Sequence, residues 1–355
     1  MKKIVLTGGG TAGHVTPNIA LMPELKKRGY DISYIGSYEG MEKGMIMETK
    51  TPYYGIATGK LRRYFDLKNF TDPFRIIKGY FEARSRLKKI HPDVVFSKGG
   101  FVAVPVVRAA HALKIPVIIH ESDMTPGLAN KLCIPVASKV CCNFPETLKY
   151  LPSDKAVLSG SPIRSELFEG DRSHGLHFCG LTSDKPVILI MGGSLGAVAV
   201  NEAVRAVLPE LLKDFQVIHL CGKGKTDKSL SNVTGYVQYE FIKEELRDLL
   251  AAADLIISRA GANAICEILA LRKPNILIPL PAAASRGDQI LNAESFQKQG
   301  FSYLLPEEEI TNEKFLDVIH QVYSDHENYQ KQMAESQQNQ AIPIIADLID
   351  QLASV

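Results

Sequence analysis

Short apolar runs rich in β-branched residues alternate along this chain with amphipathic stretches of about 10 to 15 residues. This alternation predicts βαβ units, in which parallel strands are joined by helices that cover the faces of the sheet. The pattern runs through the first half of the chain and starts again in the second half. The predicted strands are residues 4–7, 32–36, 94–97, 117–120, 187–191, 217–221, 255–258 and 276–279.

The segment 160–184 separates the two sets of predicted strands. It is rich in glycine, proline, serine and charged residues, which predicts a hinge. We therefore expect an α/β protein with two doubly wound parallel-sheet domains, residues 1–163 and 164–340, that face each other across a cleft. A short amphipathic helix is predicted at 342–352.

The composition excludes several other classes of protein. With 45% hydrophobic and 23% charged residues among 355, the chain is typical of a globular protein and not of a disordered or collagen-like one. The sequence has no apolar run of the roughly 18 to 20 residues that span a membrane, and the run after Met1 is too short for a secretory signal, so we expect no export. The six cysteines form no C-x-x-C pair, which predicts free thiols and no zinc site.

Three loops that contain glycine follow predicted strands. They span residues 8–14, 97–101 and 191–197. Ligands of open α/β sheets bind at the carboxyl ends of the strands, and glycine lets the backbone approach a phosphate closely. We therefore expect phosphate-bearing ligands in both domains. The candidate contacts to an acceptor or a diphosphate are Gly9, Gly10, Gly99 and Gly100.

Two ionisable side chains near predicted loops are candidates for chemistry. His14 directly follows the first glycine loop, where its near-neutral pKa suits a general base, although capping or packing would also explain it. Glu267 falls within the first two turns of a predicted helix, where it can accept both hydroxyls of a ribose or simply complement the helix dipole. The residues alone leave both alternatives open.

Together with further motifs, these residues resemble the MurG family of bacterial peptidoglycan glycosyltransferases, the undecaprenyldiphospho-muramoylpentapeptide β-N-acetylglucosaminyltransferases. The resemblance runs nearly end to end, and its motifs are specific in their order and spacing. They are GGTAGHVTP at 9–17, HE at 120–121, GSPIR at 160–164, GGSLGA at 192–197, RAGA at 259–262, Glu267 and DQILNA at 288–293.

The resemblance implies a GT-B fold whose C-terminal domain holds UDP-N-acetylglucosamine and whose N-terminal domain meets the lipid-linked acceptor, lipid I. N-acetylglucosamine would pass with inversion to the muramoyl 4-hydroxyl, giving lipid II, without a cofactor. The helix near the C-terminus, in about 341–355, would pack back onto the first domain. The implied substrate contacts are Thr11, Ala12, Gly13, Asp123, Arg164, Ser194, the main chain of Ile242, then Ala262, Asn263, Ala264, Ile265, Cys266, Glu267 and Gln289.

The chemistry of this reaction can be compared with the residues. Negative charge grows on the departing diphosphate and must be stabilised. The sequence has no Asp-x-Asp motif to hold a metal, whereas Arg164 and a helix that opens near Ser194 can supply positive potential, which predicts catalysis without a metal. The attacking hydroxyl must also lose a proton. His14 is the first candidate for the base, and Glu121 is the second.

The sequence departs from the common pattern of the family at several positions. Asp123 replaces the frequent Asn, Ala264 and Cys266 replace the frequent Thr and Ser, and residues 285–288 replace a segment that often ends in His. These changes remove hydroxyl and imidazole donors, so contacts through the main chain are expected to persist where contacts through those side chains do not.

Basic side chains are concentrated in the first half of the chain. Residues 1–163 carry 24 Lys and Arg against 13 Asp and Glu, whereas 164–355 carry 17 against 26. Residues 60–89 interleave ten basic side chains with aromatic residues and isoleucines, which suits an anionic bilayer surface, although those apolar side chains could instead pack on the sheet. Because the implied acceptor is lipid-linked, we expect reversible peripheral binding at the cytoplasmic face of the membrane. We expect no nucleic-acid partner, since no RNA-reading motif accompanies the patch.

Two other functions are compatible with parts of the sequence. Gly8, Gly10 and Gly13 match the dinucleotide fingerprint, which would suit a nucleotide-dependent oxidoreductase, but the second predicted strand ends at 35–37 with its nearest acid at Glu39. A paralogous or non-catalytic protein that binds a UDP-sugar or a lipid is the other alternative. Binding without transfer would distinguish it.

Overall fold

The computed structural model describes residues 2–59, 68–193, 196–282 and 287–354. The chain forms two units: 1–164 together with 337–355, and 165–336. The strands of the described chain are β1 (Lys2–Thr7), β2 (Tyr30–Ser37), β3 (Tyr53–Ile56), β4 (Val94–Ser97), β5 (Val117–Glu121), β6 (Lys139–Cys142), β7 (Ala156–Leu158), β8 (Val187–Met191), β9 (Gln216–Leu220), β10 (Tyr236–Tyr239), β11 (Leu255–Ser258), β12 (Asn275–Leu277) and β13 (Tyr303–Leu304).

The α-helices cover these strands. They are α1 (Thr16–Lys27), α2 (Met41–Glu48), α3 (Lys68–Ile90), α4 (Ala103–Ala112), α5 (Leu128–Cys133), α6 (Arg172–Phe178), α7 (Val198–Asp214), α8 (Leu246–Ala252), α9 (Ala262–Ala270), α10 (Asp288–Lys298), α11 (Asn312–Ser324), α12 (His326–Ala334) and α13 (Ala341–Leu352). Among the described residues, no helix has both the length and the apolar character needed to cross a bilayer.

Each unit contains one parallel sheet. The order is β3-β2-β1-β4-β5-β6-β7 in the first unit and β10-β9-β8-β11-β12-β13 in the second. Both sheets therefore share the Rossmann-like order, in which the chain runs outward in one direction and then restarts beside the first strand. Central strands such as β4 are buried at every residue because helices cover both faces of the sheet, which explains their unbroken apolar sequences.

Helix α13 follows the second unit in sequence but belongs to the first. Its side chains Ile345 and Ile349 are fully buried in the same core as Leu21 and Leu25 of α1. Asp347 and Asp350, near the C-terminal end of α13, contact Arg28 at 2.6 and 2.8 Å. The amphipathic pattern therefore serves the packing of the first unit.

The structure contains all eight predicted strands, with ends that differ by at most two residues. The strands β3, β6, β7, β10 and β13 are not predicted, and four of them, β3, β7, β10 and β13, are the edge strands of the two sheets. The boundary between the two units lies between residues 164 and 165, within the segment predicted as a hinge, and the rest of that segment includes a 3-10 helix (Ser165–Glu169) and α6. There Arg172 binds Asp254 at 2.9 Å, and His174 binds Asp248 at 2.7 Å, within the second unit.

Candidate functional site

The strand order places one candidate site in each unit. Ligands of doubly wound folds bind outside the carboxyl ends of the strands, where the strand order reverses. This point lies between β1 and β4 in the first sheet and between β8 and β11 in the second. The glycine loops that the sequence predicts follow β1, β4 and β8, so all three lie at these points.

In the first unit, the loops after β1 and β4 lie against each other. Gly100 has a φ of +81°, and a Cβ on it would lie 2.2 Å from Gly9 O and 3.1 Å from His14 Nδ1. Only glycine permits this approach. The predicted contacts Gly9, Gly10, Gly99 and Gly100 thus lie in two adjoining loops at one edge of the sheet.

The predicted donor-sugar contacts Thr11, Ala12 and Gly13 form the turn that leads to His14. Thr11 and Ala12 are exposed, and a 3-10 helix spans Ala12–His14. Thr11 Oγ1 lies 3.0 Å from His14 Nδ1. When Nδ1 carries the proton and donates it to Thr11, the lone pair of Nε2 is the one that can accept a proton from a substrate.

His14 has an unusual electrostatic environment. Burial, followed by the nearby Lys98 ammonium, lowers the pKa of its imidazole to about 4, although a hydrogen bond with the Gly9 backbone acts in the opposite direction. The imidazole is therefore neutral near pH 7 and able to accept a proton, but it is a weak base in the absence of substrate.

A buried glutamate that the sequence analysis does not identify supports the first glycine loop. The Glu42 side chain is fully buried, and its carboxylate accepts hydrogen bonds from the backbone N–H groups of Gly10 and Ser37 at 3.3 and 3.0 Å. The Ser37 hydroxyl also donates to it. In the sequence, Glu42 lies 32 residues from Gly10, and no local motif connects the two.

A buried lysine connects the loop after β4 to the end of β5. Lys98 is 1% exposed, and its Nζ donates to His120 Nδ1 at 2.8 Å and to Ser122 Oγ. His120 Nε2 donates to Gly160 O at 2.8 Å. Burial and the Lys98 charge hold the pKa of His120 well below its usual value, so this ring is neutral and its tautomer is fixed by its two partners.

The carboxylate of Glu121, the second candidate for the base, accepts three hydrogen bonds from the protein. Its carboxylate accepts from Asp123 N at 2.9 Å, Gly127 N at 3.0 Å and Asn130 Nδ2 at 2.8 Å, and the residue is 4% exposed. These bonds shape the loop that contains Asp123. Both carboxylate oxygens of Glu121 therefore have hydrogen-bond donors within the first unit.

In the second unit, the loop after β8 lies against the main chain at Cys221, and side chains hydrogen-bond to the backbone of both segments. Gly196 has a φ of +68°, and a Cβ on it would lie 2.1 Å from Cys221 O. Asn201 Nδ2 donates to the same Cys221 carbonyl at 2.9 Å, and Lys225 Nζ donates to Gly196 O at 3.2 Å. The predicted contact Ser194 lies outside the described residues. Helix α7 begins at Val198, so its N-terminus follows this loop.

The predicted nucleotide contacts occupy the N-terminal turns of α9. The helix is preceded by Gly261, and Ala262, Asn263, Ala264 and Glu267 are half-buried, whereas Ile265 and Cys266 are buried. The side chain of Ile242, whose main chain is the predicted uracil contact, is also buried. Position 266 therefore faces the core, and the Cys in place of Ser removes no exposed hydroxyl.

Buried polar side chains hold the segments around α9. Arg259 Nη1 donates to Ile278 O and Pro279 O at 3.1 and 3.0 Å, and its Nη2 lies 2.5 Å from Glu307. Asn292 Nδ2 donates to Ala260 O at 3.1 Å. The motif residue Arg259 thus has a structural role that explains its presence.

Two further predicted contacts lie at the edges of this region. Gln289, at the start of α10, accepts a hydrogen bond from Leu280 N at 3.1 Å through Oε1. This bond leaves the amide nitrogen of Gln289 to act as a donor. Arg164, the last residue of the first unit before the crossover, is half-buried.

Helix α3 contains part of the predicted membrane-facing segment, of which residues 60–67 lie outside the described chain. Gly79, Ala83 and Leu87 are buried on one side of the helix. Phe74, Ile77 and Phe81 are 75%, 56% and 61% exposed. Their spacing of three and four residues places them on one face. These three apolar side chains therefore do not pack on the sheet.

Two family models match most of the chain. The glycosyltransferase family 28 N-terminal domain matches residues 4–142, and the glycosyltransferase family 28 C-terminal domain matches residues 187–349. The chain is 65% identical to a UDP-N-acetylglucosamine--N-acetylmuramyl-(pentapeptide) pyrophosphoryl-undecaprenol N-acetylglucosamine transferase of Lachnoclostridium phytofermentans, over 99% of both chains. It is 63% identical to the protein of the same name from Lachnospira eligens, over 98% of this chain and 99% of that one.

Solved structures resemble the fold over nearly the whole chain. The crystal structure of Acinetobacter baumannii MurG matches with a TM-score of 0.76 at 28% identity, over 99% of this chain and 100% of that one. A UDP-GlcNAc 2-epimerase from Neisseria meningitidis matches with a TM-score of 0.70 at 15% identity, over 99% and 100%. At that identity the second likeness concerns the fold alone.

Proposed function

Because this chain belongs to glycosyltransferase family 28, we propose that it transfers N-acetylglucosamine from UDP-N-acetylglucosamine to the 4-hydroxyl of lipid-linked muramoyl-pentapeptide, lipid I, and so forms lipid II. The observation that carries the proposal is the identity of 65% over 99% of both chains to a transferase of that name. The reaction inverts the sugar configuration, so the attacking hydroxyl approaches opposite the departing UDP.

We assign the acceptor to the first unit and the nucleotide to the second. Glu267 accepts the ribose hydroxyls, the main chain of Ile242 reads the uracil, and Gln289 donates to the transferred sugar through its amide nitrogen. The half-buried position of Glu267 in the second turn of α9 supports this role, because a carboxylate there is shielded from solvent but reachable. Asp123 and the glycines after β1 and β4 face the acceptor.

His14 accepts the proton of the attacking hydroxyl. Its ring is neutral at physiological pH, and Thr11 orients it at 3.0 Å. The diphosphate of the acceptor adds negative charge near the ring, which raises the pKa of His14 when the acceptor binds and makes it a stronger base in the complex than alone. The tight bonding of Glu121 to three donors supports this choice.

The departing diphosphate is stabilised by the protein itself. The N-terminus of α7, a helix of 17 residues, offers unpaired N–H groups and the positive end of the helix dipole. Arg164 adds a full positive charge, and Ser194 adds a hydroxyl donor. Catalysis then proceeds without a metal or another cofactor.

Donor selectivity in a turnover assay tests the proposal. The full-length protein is incubated with a lipid I analogue and with either UDP-N-acetylglucosamine or UDP-glucose, and the product is identified by mass spectrometry. We expect transfer of N-acetylglucosamine, with glucose at least about 10-fold slower. Binding of UDP-N-acetylglucosamine without a product would support a non-catalytic binding protein. Quenching of NADH fluorescence on titration would support the oxidoreductase alternative.

We also propose that the exposed face of α3, Phe74, Ile77 and Phe81, docks on the anionic cytoplasmic face of the membrane. Arg75 and Lys78 are exposed on the same helix, so cationic and apolar side chains are presented together. This surface would hold the protein where a lipid-linked acceptor is found. No nucleic acid is needed to explain it.

Vesicle sedimentation tests this surface. The double variant Phe74→Ser, Phe81→Ser should bind phosphatidylglycerol vesicles at least about 10-fold more weakly than the unmodified protein, because each phenyl ring contributes about 1.5 to 3 kcal/mol when buried. Phe168→Ser in the second unit removes a phenyl ring that is 57% exposed and should have no effect. Equal binding by the double variant, or equal binding to phosphatidylcholine vesicles, contradicts the proposal.

A further inference from the structure

Lys98 is an ionisable residue that the proposed reaction does not use directly. Its side chain is 1% exposed. Removing an ammonium group from water costs several kcal/mol, which hydrogen bonds and neighbouring groups must offset. The partners of Lys98 include a neutral imidazole and a hydroxyl, His120 and Ser122.

Lys98 connects the ends of three neighbouring strands. Its backbone N–H donates to Thr7 O at 2.9 Å, which ties the loop after β4 to the end of β1. Its ammonium holds His120 on β5 and Ser122 just beyond it. Two residues further along the chain, Gly100 lies against Gly9 and the His14 ring. The His14 turn thus rests on a loop whose position depends on Lys98.

We propose that Lys98 is a positioning residue for the transfer reaction, which holds the loops after β4 and β5 against the His14 turn and sets the electrostatic environment of the His14 imidazole. The inference rests on the proposed role of His14 as the proton acceptor. It assigns to the buried positive charge the task of keeping His14 unprotonated until anionic substrates arrive.

The charged and titratable groups around His14 are consistent with a Lys98 charge that disfavours protonation of the imidazole. Lys98, directly after β4, lowers the pKa of His14 through its charge, and the neutral His120 on β5 accepts a hydrogen bond from Lys98. The carboxylate of Glu42, in the first turn of α2, accepts hydrogen bonds from the Gly10 and Ser37 N–H groups. Tyr34 donates its hydroxyl proton to Gly8 O, and burial raises its pKa, so it stays neutral. Among these groups, Lys98 is the one that disfavours a proton on His14.

The test compares Lys98→Met and Lys98→Gln, which remove the charge, with Lys98→Arg, which keeps it. Lys273→Met is the matched control, because Lys273 is also largely buried and donates to two carbonyls, Ala251 O and Ala253 O, in the second unit. The first readout is the pKa of His14 from nuclear magnetic resonance of the imidazole protons, assigned through the signal lost in His14→Gln. The second readout is the dependence of kcat/KM on pH.

We expect both neutral variants to raise the pKa of His14 by about 0.5 to 1, since a nearby like charge is removed. The acid limb of kcat/KM should move to higher pH by the same amount, with a loss of roughly 10-fold in kcat from poorer positioning. Lys98→Arg should return the acid limb of kcat/KM to its position in the unmodified protein. Lys273→Met should lower the melting temperature but leave that acid limb where it is. An unchanged His14 pKa in the neutral variants that fold overturns the inference, as does an equal shift in Lys98→Arg.

The two proposals fail separately. If the unmodified protein transfers no sugar, the proposed function fails, whereas the His14 titration still decides the role of Lys98. If transfer occurs but the acid limb of kcat/KM stays at the same pH when the charge at position 98 is removed, only the inference about Lys98 fails.

Discussion

The two units share a strand order but support their ligand loops in different ways. In the first unit, the loops after β1, β4 and β5 are fixed by buried ionisable side chains, Glu42, Lys98 and Glu121, which are at most 4% exposed. In the second unit, the buried amides of Asn201 and Asn292 and the half-buried ammonium of Lys225 hold the corresponding segments. Its buried Arg259 is compensated by Glu307 at 2.5 Å.

This difference has a consequence for chemistry. Charges in a dry environment act on their neighbours far more strongly than the same charges in water. Burial and the Lys98 charge together lower the pKa of the His14 imidazole, which is the group that we propose as the proton acceptor.

Replacement of His14 should have the largest effect on activity. His14→Gln removes the proposed base and should lower kcat by about 100- to 10,000-fold, measured as lipid II formed per unit time. His111→Gln on the exposed face of α4 is the control and should retain full activity. A loss of less than about 10-fold for His14→Gln would assign the proton to another group.

Replacement of Glu42 should have the next largest effect, on folding. Glu42→Ala leaves the Gly10 and Ser37 N–H groups without their carboxylate, and we expect the free energy of unfolding to fall by about 2 to 4 kcal/mol. The comparison is Asn292→Ala in the second unit, which removes one neutral hydrogen bond and should cost about 1 to 2 kcal/mol. Urea denaturation measures both. Equal losses would remove the distinction between the charged and neutral supports.

Replacement of Glu267 should act on binding and not on turnover. Glu267→Ala removes a carboxylate that accepts ribose hydroxyls, so the KM for UDP-N-acetylglucosamine should rise by about 10- to 100-fold with kcat nearly unchanged. Glu294→Ala, on the exposed side of α10, is the control. A fall in kcat with an unchanged KM would instead place Glu267 in the chemical step.

Removal of divalent ions should have the smallest effect. Since Arg164 and the α7 N-terminus are proposed to neutralise the diphosphate, EDTA should change kcat/KM by less than about 2-fold. Loss of turnover in EDTA that magnesium or manganese restores would show that a metal performs that task. The same assay with Arg164→Met should show a clear loss in either buffer.

Local patterns explain why much of this molecule can be read from its sequence. Buried parallel strands are continuous apolar runs, and glycine is required where a loop meets another backbone, so β1, β4 and β8 and the loops that follow them are predictable. Helix α6 escapes prediction because it has only seven residues and its polar partners, Asp254 for Arg172 and Asp248 for His174, lie more than 70 residues away in the sequence. The role of Glu42 is likewise not predicted, because Gly10, which its carboxylate binds, lies 32 residues away in the sequence.

The sequence by itself determined the alternation of strands and helices, the glycine loops at the strand ends and the family to which the chain belongs, because each of these is encoded by neighbouring residues. Only the tertiary structure decided that His14 is held neutral beside a buried Lys98, that Glu121 is occupied by three donors, and that Phe74, Ile77 and Phe81 are exposed. Protonation and exposure depend on what surrounds a side chain in space, and the residues that surround these groups are distant in the chain.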